Sequence, residues 1–375
     1  MAGVHELSRA EARRIAVRAQ LLDARRPAGL LEAVRHLTLL RVDPTSAVAP
    51  SADLVAWSRL GARYVPGELE SALADRSLVH LRGMIRPAED VALYRADMAA
   101  WPGVGQLRGW QVARGRWVEA NEGCRREILR WLASDGALPA RALPDTCAVP
   151  WESSGWNDER NVVQLLEFMV QRGEVAVAGR DARGRLYDLA ERVYPDEPAV
   201  PLEQARRVRD ERRLRSLGIA RGRATEQMVE PLHVGEAGEA ARVEGVKGLW
   251  RVDRRQLEVE RDGGEGGFAG RAALLSPFDL LVVDRKRTDE LFEYDYQLEM
   301  YKPAGRRRWG YYALPILCGE RLIGKLDARA DRAAGVLRVA AVYQDEPFGR
   351  QAAAQVRAQI EELAHWLGLG LALPG

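Results

Sequence analysis

A chain of 375 residues, 47% hydrophobic and 29% charged, carries enough apolar surface for a real core, and its length predicts two or three globular units instead of a disordered tail. No apolar run approaches the ~18 residues that a membrane-spanning helix needs, and Met1 to Gln20 is charged and amphipathic, unlike a secretory leader, so a cytoplasmic protein with no membrane partner is expected. The formal net charge is only +2, so a polyanion would have to be gripped by local cation clusters and not by global charge.

The first element opens at Ser8-Arg9-Ala10-Glu11, a capping-box spacing followed by a helical apolar pattern through Leu22. A second helix, about Gly29 to Leu39, runs into Leu40-Arg41-Val42-Asp43-Pro44, where the proline forces Asp43 out of the helical region. Gly67 to Leu73 reads as helix and Leu78 to Ile85 as one short strand, before Pro87 and Glu89 open a helix ending near Trp101-Pro102.

Three helices are expected next: Glu122 to Ala133, a short one starting at Leu138-Pro139, and Glu159 to Arg172 with Asn157-Asp158 as cap and Gly173 as stop. The alternating segments Glu174–Ala178 and Arg185–Leu189 follow, joined by a turn, and read as a hairpin. Three helices and a β-wing make a winged helix. In that fold the third helix commonly enters the major groove and the wing touches phosphates. That points to Asn157, Arg160, Asn161 and Gln164 on the helix, with Arg180, Arg183 and Arg185 on the wing. Winged helices also serve as packing modules, so a protein scaffold is a further reading. A similar layout recurs from Glu203 to Val252, with a helix rich in arginine, a turn at Leu217-Gly218 and two strand-like segments.

Gly263 to Gly267 lacks the lysine and hydroxyl residue of a phosphate loop and reads as a connection. Beyond it, Phe278–Val283, Tyr294–Met300, Tyr311–Leu317, Arg321–Ala328 and Gly335–Val342 predict an antiparallel meander or small barrel, closed by a helix from Gln351 to Leu367. Two clusters here suit a phosphate backbone: Arg285-Lys286-Arg287, and the loop from Tyr301 to Trp309 with Lys302, Arg306, Arg307 and Arg308 among aromatic rings. Cys124, Cys147 and Cys318 are odd in number and far apart, and the histidines are scattered. Reduced thiols, no metal and no cofactor are expected. The sequence shows no dimerisation pattern, so a monomer is expected.

Leu274-Leu-Ser-Pro-Phe-Asp279, Asp284-Arg-Lys-Arg287, Leu291-Phe292, Tyr301-x-Pro303, Gly310-Tyr-Tyr-x-Leu-Pro315 and Gly324-x-x-Asp327 keep one order and spacing. With Arg215-Ser-Leu-Gly-Ile219, Tyr187-Asp-Leu189, Ser58-Arg-Leu-Gly61 and Val42-Asp43, they resemble the AlkZ/YcaQ family of DNA glycosylases, nearer YcaQ overall, along nearly the whole chain. The resemblance implies an α+β chain of tandem winged-helix domains followed by a small antiparallel β-barrel or meander with a C-terminal helix. The expected divisions are 1–118 with the catalytic segment, 119–200, 201–262 and 268–375. It also implies duplex DNA as partner and monofunctional, cofactor-free removal of N7-alkylated purines, with interstrand crosslinks as substrates of some members.

N7 alkylation makes the purine a good leaving group, so a carboxylate that stabilises the sugar cation and directs water would suffice. The family motif has glutamine, a hydrophobic residue, then aspartate or glutamine. Here it reads Arg41-Val42-Asp43, with Asp43 as the matching carboxylate and Arg41 as a departure. Arg41 either supports Asp43 by gripping a phosphate or pairs with it and occupies its oxygens. Arg82-Gly83 and Pro87 to Asp90 resemble a stretch bordering the cleft in the AlkZ branch. The alternative is a non-enzymatic DNA-binding protein, a regulator or lesion sensor.

Overall fold

The computed structural model describes residues 3–152, 161–181, 184–224, 230–263 and 267–374. They form a mixed α+β structure that packs as two compact units, one from 1–69 with 210–375 and the other from 70–209.

In the first unit, Ser8 caps the helix Arg9–Ala19 and exchanges hydrogen bonds with Glu11, the reciprocal pair its spacing predicts. The helix ends before Leu22, at the cap Gln20. Leu30–Leu37 is the second helix, closed by Thr38 in the left-handed region, and leads into the short strand Leu40–Arg41. The next helix, Ser51–Leu60, is buried at every position but Asp53, with the polar side chains of Ser51, Ser58 and Arg59 taken into the core alongside its apolar ones. A four-stranded sheet sets His5–Leu7 parallel to Glu239–Val243, which pairs antiparallel with Trp250–Val252 and through it with Ile219–Ala220.

The C-terminal meander has five strands in sequence order: Ala272–Leu274, Leu314–Cys318, Arg321–Asp331, Val336–Gln344 and Gly370–Ala372, the last pair parallel. The helix Arg350–Trp366 packs on it, and Trp366 stacks on Trp57 at 5.7 Å between ring centroids. Two expected strands are absent: Phe278–Val283 is a series of turns, and Tyr294–Met300 is irregular. Between them stands the helix Arg285–Phe292, capped by Asp284 onto the Arg287 N–H, which the sequence reading placed nowhere. With no strand immediately before it, the Tyr301–Trp309 loop is an irregular segment with one 3₁₀ turn, Ala304–Arg306.

In the second unit, the expected single strand at 78–85 is a hairpin, Leu78–Leu81 paired with Met84–Pro87. Arg82 and Gly83 both have positive φ, 53° and 74°, the backbone of a tight two-residue turn. The helix Gly109–Ala120, unassigned from sequence, precedes Glu122–Asp135, and Gly136 with φ 76° ends the latter. Leu138–Pro139 is a strand and not a helix start; it pairs with Leu186 and Tyr187, and the 3₁₀ turn Ala140–Ala142 follows. The next helix is Asn161–Gln171, and Val175–Asp181 pairs antiparallel with Gly184–Leu189, the hairpin the alternating segments predict. The expected cap Asn157-Asp158, with Arg160 and Arg183, lies outside the described residues.

Candidate active site

Two sequence-distant motifs meet in the core of the first unit. Arg59, from Ser58-Arg-Leu-Gly61, and Asp279, from Ser276-Pro-Phe-Asp279, form a fully buried bidentate ion pair. Arg59 also donates to the Gln20 carbonyl at 3.1 Å, and Asp279 accepts from the Leu281 N–H at 2.9 Å. Nearby, the Ser51 and Ser276 hydroxyls are 2.9 Å apart. A buried charge pair survives desolvation only with such additional partners. The clamp fixes the Ser51–Leu60 helix, and with it the segment just before that helix, against the C-terminal meander.

That preceding segment carries Asp43. It is half-buried, and its Oδ1 accepts from the Thr45 N–H at 2.8 Å, an Asx turn that sets the direction of the carboxylate. The Thr45 hydroxyl points to the Met300 sulfur at 3.7 Å, tying the turn to the C-terminal part of the unit. Among the described residues no other hydrogen bond or ion pair reaches Asp43, so one oxygen is unspent. The Tyr312 hydroxyl is pushed up to about 12, chiefly by burial, and the Asp43 charge adds to the rise. Tyr312 thus belongs to the surroundings of the carboxylate, although sequence reasoning took it only as part of a motif.

Arg41 makes no ion pair with Asp43 among the described residues. Burial holds its guanidinium below the ordinary arginine value, and Glu230, ahead of Asp43, pulls it back up. Arg285 lies close enough for the two cations to repel: burial lowers Arg285 first, and Arg41 contributes to the same effect. Beside Arg41 is a small cavity of about 30 Å³, lined among others by Thr38, Arg213, Glu230, Asp284 and Arg287. Arg213 donates to Glu230 at 2.9 Å and to Asp210 at 2.7 Å. Nothing in the local sequence pattern marks Glu230, which reaches this place from a segment far along the chain.

The geometry of a half-free carboxylate on a clamped turn, with the Arg41 cation nearby, can be set beside known proteins. The AlkZ-like DNA glycosylase family model matches residues 34–366. The chain belongs to the AlkZ-like DNA glycosylase family. The solved structure of Streptomyces sahachiroi DNA glycosylase AlkZ is similar to it with a TM-score of 0.63, at 16% identity, over 98% of this chain and 100% of that one. Membership makes the chain a DNA-binding DNA repair glycosylase, a hydrolase of the base–sugar bond. No helix among the described residues is long and apolar enough to cross a membrane.

The expected DNA-contacting residues of this AlkZ-like chain fall into two groups. Several are spent internally. Arg287 is buried, with its guanidinium on the carbonyls of Leu217, Ile219 and Leu281, so it braces the core and is a correction to the expectation of a phosphate contact. Arg285 donates to the Val282 and Pro277 carbonyls and stacks over Tyr296 at 4.3 Å. Asn161 accepts from the Trp151 N–H at 2.8 Å and donates to Asp145 at 3.0 Å, so its amide anchors the helix start. Lys302 is held by Glu299 at 2.8 Å and Gln297 at 3.1 Å, and Arg307 by the Lys302 carbonyl, whereas Arg308 meets Asp295 at 3.1 Å in a surface pair and stays exposed.

The others face outward. Arg306 and Lys286 are exposed, Gln164 is half-exposed, and Arg82 is half-exposed at its hairpin turn. A side chain at Gly310 would collide with the Asp327 carboxylate, and one at Gly324 with the Tyr343 carbonyl, so the glycines of two family motifs permit close approach within the meander.

Proposed function

We propose that this glycosylase hydrolyses the N-glycosidic bond of N7-alkylated purines in duplex DNA, with Asp43 as its essential carboxylate. The reading rests most on one observation: Asp43 keeps an oxygen free of Arg41 while its turn is fixed by Thr45. The alkylated base departs without a general acid because it already carries positive charge. The free oxygen of Asp43 faces the cationic sugar or orients water toward the anomeric carbon, as carboxylates do in glycoside hydrolysis. Arg41, half-buried, holds a phosphate next to the lesion, and Arg285 adds to the local positive field.

Winged-helix docking of the Asn161–Gln171 helix and the hairpin that follows it is the corresponding mode of duplex binding for the 70–209 unit, with Gln164 and Arg82 as its DNA contacts; in the other unit Lys286 and Arg306 are the outward cations available to a phosphate backbone. Interstrand crosslinks with an N7-linked purine fall within the same chemistry. The enzyme is monofunctional, since the mechanism needs no amine nucleophile, and acts as a cytoplasmic monomer without a cofactor.

The test is incubation of the protein with duplex DNA containing N7-methylguanine, followed by alkaline cleavage of abasic sites. Wild-type protein yields abasic sites; Asp43→Asn lowers the single-turnover rate by about 10²-fold or more, the scale set by loss of one electrostatic stabiliser. Unchanged circular dichroism for the variant shows that it has folded. Full activity in Asp43→Asn would overturn the role of Asp43. Duplex binding without base release from any alkylated substrate would instead favour the regulator or sensor.

A further inference from the structure

The sequence spaces Cys124, Asp145 and Cys147 without any familiar metal-binding pattern, yet folding gathers them. The Cys124 and Cys147 sulfurs and an Asp145 carboxylate oxygen all lie within 4.8 Å of one another. Cys124 sits in the first turn of the helix Glu122–Asp135, and the other two lie on the loop after the Ala140–Ala142 turn. We propose that these three residues form a binding site for one soft divalent cation of the zinc class.

Three observations carry the proposal. The donor atoms lie within 4.8 Å of one another, against edge lengths of about 3.3–3.8 Å in a tetrahedral zinc site with bonds of ~2.0–2.3 Å, so drawing the three in on the ion makes the site. The donor set is two thiolate-forming sulfurs and one carboxylate oxygen, which suits zinc and not the all-oxygen shells of magnesium or calcium. Asp145 is also oriented from behind: Oδ1 accepts from the Cys147 N–H at 3.2 Å and Oδ2 from the Asn161 amide at 3.0 Å. Ligating carboxylates are commonly held by such outer hydrogen bonds.

The loop is further tied to the helix by Thr146, whose hydroxyl donates to Glu127 at 2.6 Å. Cys124 is buried, Cys147 half-buried and Asp145 exposed, so the site lies at the rim of the core with an approach from solvent. The exposed side leaves room for water as a fourth ligand. On binding, hydrated zinc(II) exchanges water for two sulfurs and one carboxylate oxygen, and the two thiol protons pass to buffer; no electron transfer is involved. The ion cross-links the 144–151 loop to the Glu122–Asp135 helix. Through Asn161 it also steadies the start of the Asn161–Gln171 helix.

Full-length protein, reduced and stripped with a chelator, is titrated with zinc(II) against a chromophoric competitor, and with cobalt(II) as an optical probe of thiolate ligation. The expected result is one equivalent per chain and a thiolate-to-cobalt charge-transfer band. Both are lost in Cys147→Ser and unchanged in Cys318→Ser. Asp145→Asn, a mild change at an exposed position, weakens binding by at least tenfold, and Asn161→Ala by about 10- to 100-fold, as outer-shell losses do. No stoichiometric uptake while all three thiols remain titratable overturns the proposal. So does loss of two thiols without bound metal, which would make the pair a disulfide.

Discussion

A carboxylate that stabilises a sugar cation must be held in place without being used up. The Thr45 N–H orients Asp43 through one oxygen, while Arg41 feels Glu230 more strongly than it feels Asp43. Asp43, the carboxylate proposed above, stands out in the sequence because Pro44 places it at a break and because a family motif ends on it. Glu230 could not, since its proximity to Arg41 is a product of packing between distant segments. If Arg41 grips a phosphate, Arg41→Gln, which installs the motif glutamine, keeps base release but lowers duplex affinity, and the slope of log K against log salt shrinks by about 1. Fluorescence anisotropy at several salt concentrations measures that slope; an unchanged slope removes Arg41 from the phosphate contacts.

Elements with strong local signals were legible: the Ser8 capping box, the glycine after the 161–171 helix and the 175–189 hairpin. The two strands expected between 278 and 300 failed for a shared reason. Tyr294 and Tyr296 are buried while Asp295 and Gln297 are exposed, an alternation identical to that of a strand. Their hydroxyls reach the Gly324 and Ala313 carbonyls, so side chains and not a backbone ladder fasten this segment to the sheet. Asp279 likewise turns its own stretch, with Val282 and Val283 N–H groups on its carbonyl. Asp279→Ala should therefore cost more than a lost contact, because Arg59 is left charged and buried; about 3–5 kcal/mol is expected. Ser8→Ala should cost about 1 kcal/mol by loss of the cap. Urea unfolding of both variants checks the contrast.

Across the whole molecule, family membership and the α+β class were readable because ordered motifs recur along most of the chain. Which arginines face outward was not, because a basic run in sequence does not show which members are paired: Arg209 is held by Asp97, Arg213 by Asp210 and Glu230. The second unit should also be acid-sensitive. His80 is depressed to about 4, first by burial and then by Arg185 and Arg180. Below the unfolded value of about 6.5, the unfolded chain takes a proton that the folded one refuses. Stability contributed by neutral His80 is thus complete above that pH and falls as pH drops from about 6.5 toward 4. Thermal melts across this range should show the decline, and His80→Leu should flatten it.

The clamp between Arg59 and Asp279 also sets an order of events during synthesis. Residues 70–209 form a unit from one continuous stretch of chain, so the whole of that unit has been synthesised by the time residue 210 is added. The segment bearing Asp43 leaves the ribosome earlier but must wait for Asp279, which at ordinary elongation rates means on the order of ten seconds or more. Until then Arg59 has no buried counter-ion and the Asp43 turn has no meander to rest against. The chain therefore gains its completed carboxylate site only after most of its length has been translated, and a fragment ending before Asp279 would carry Asp43 without the packing that holds it in place.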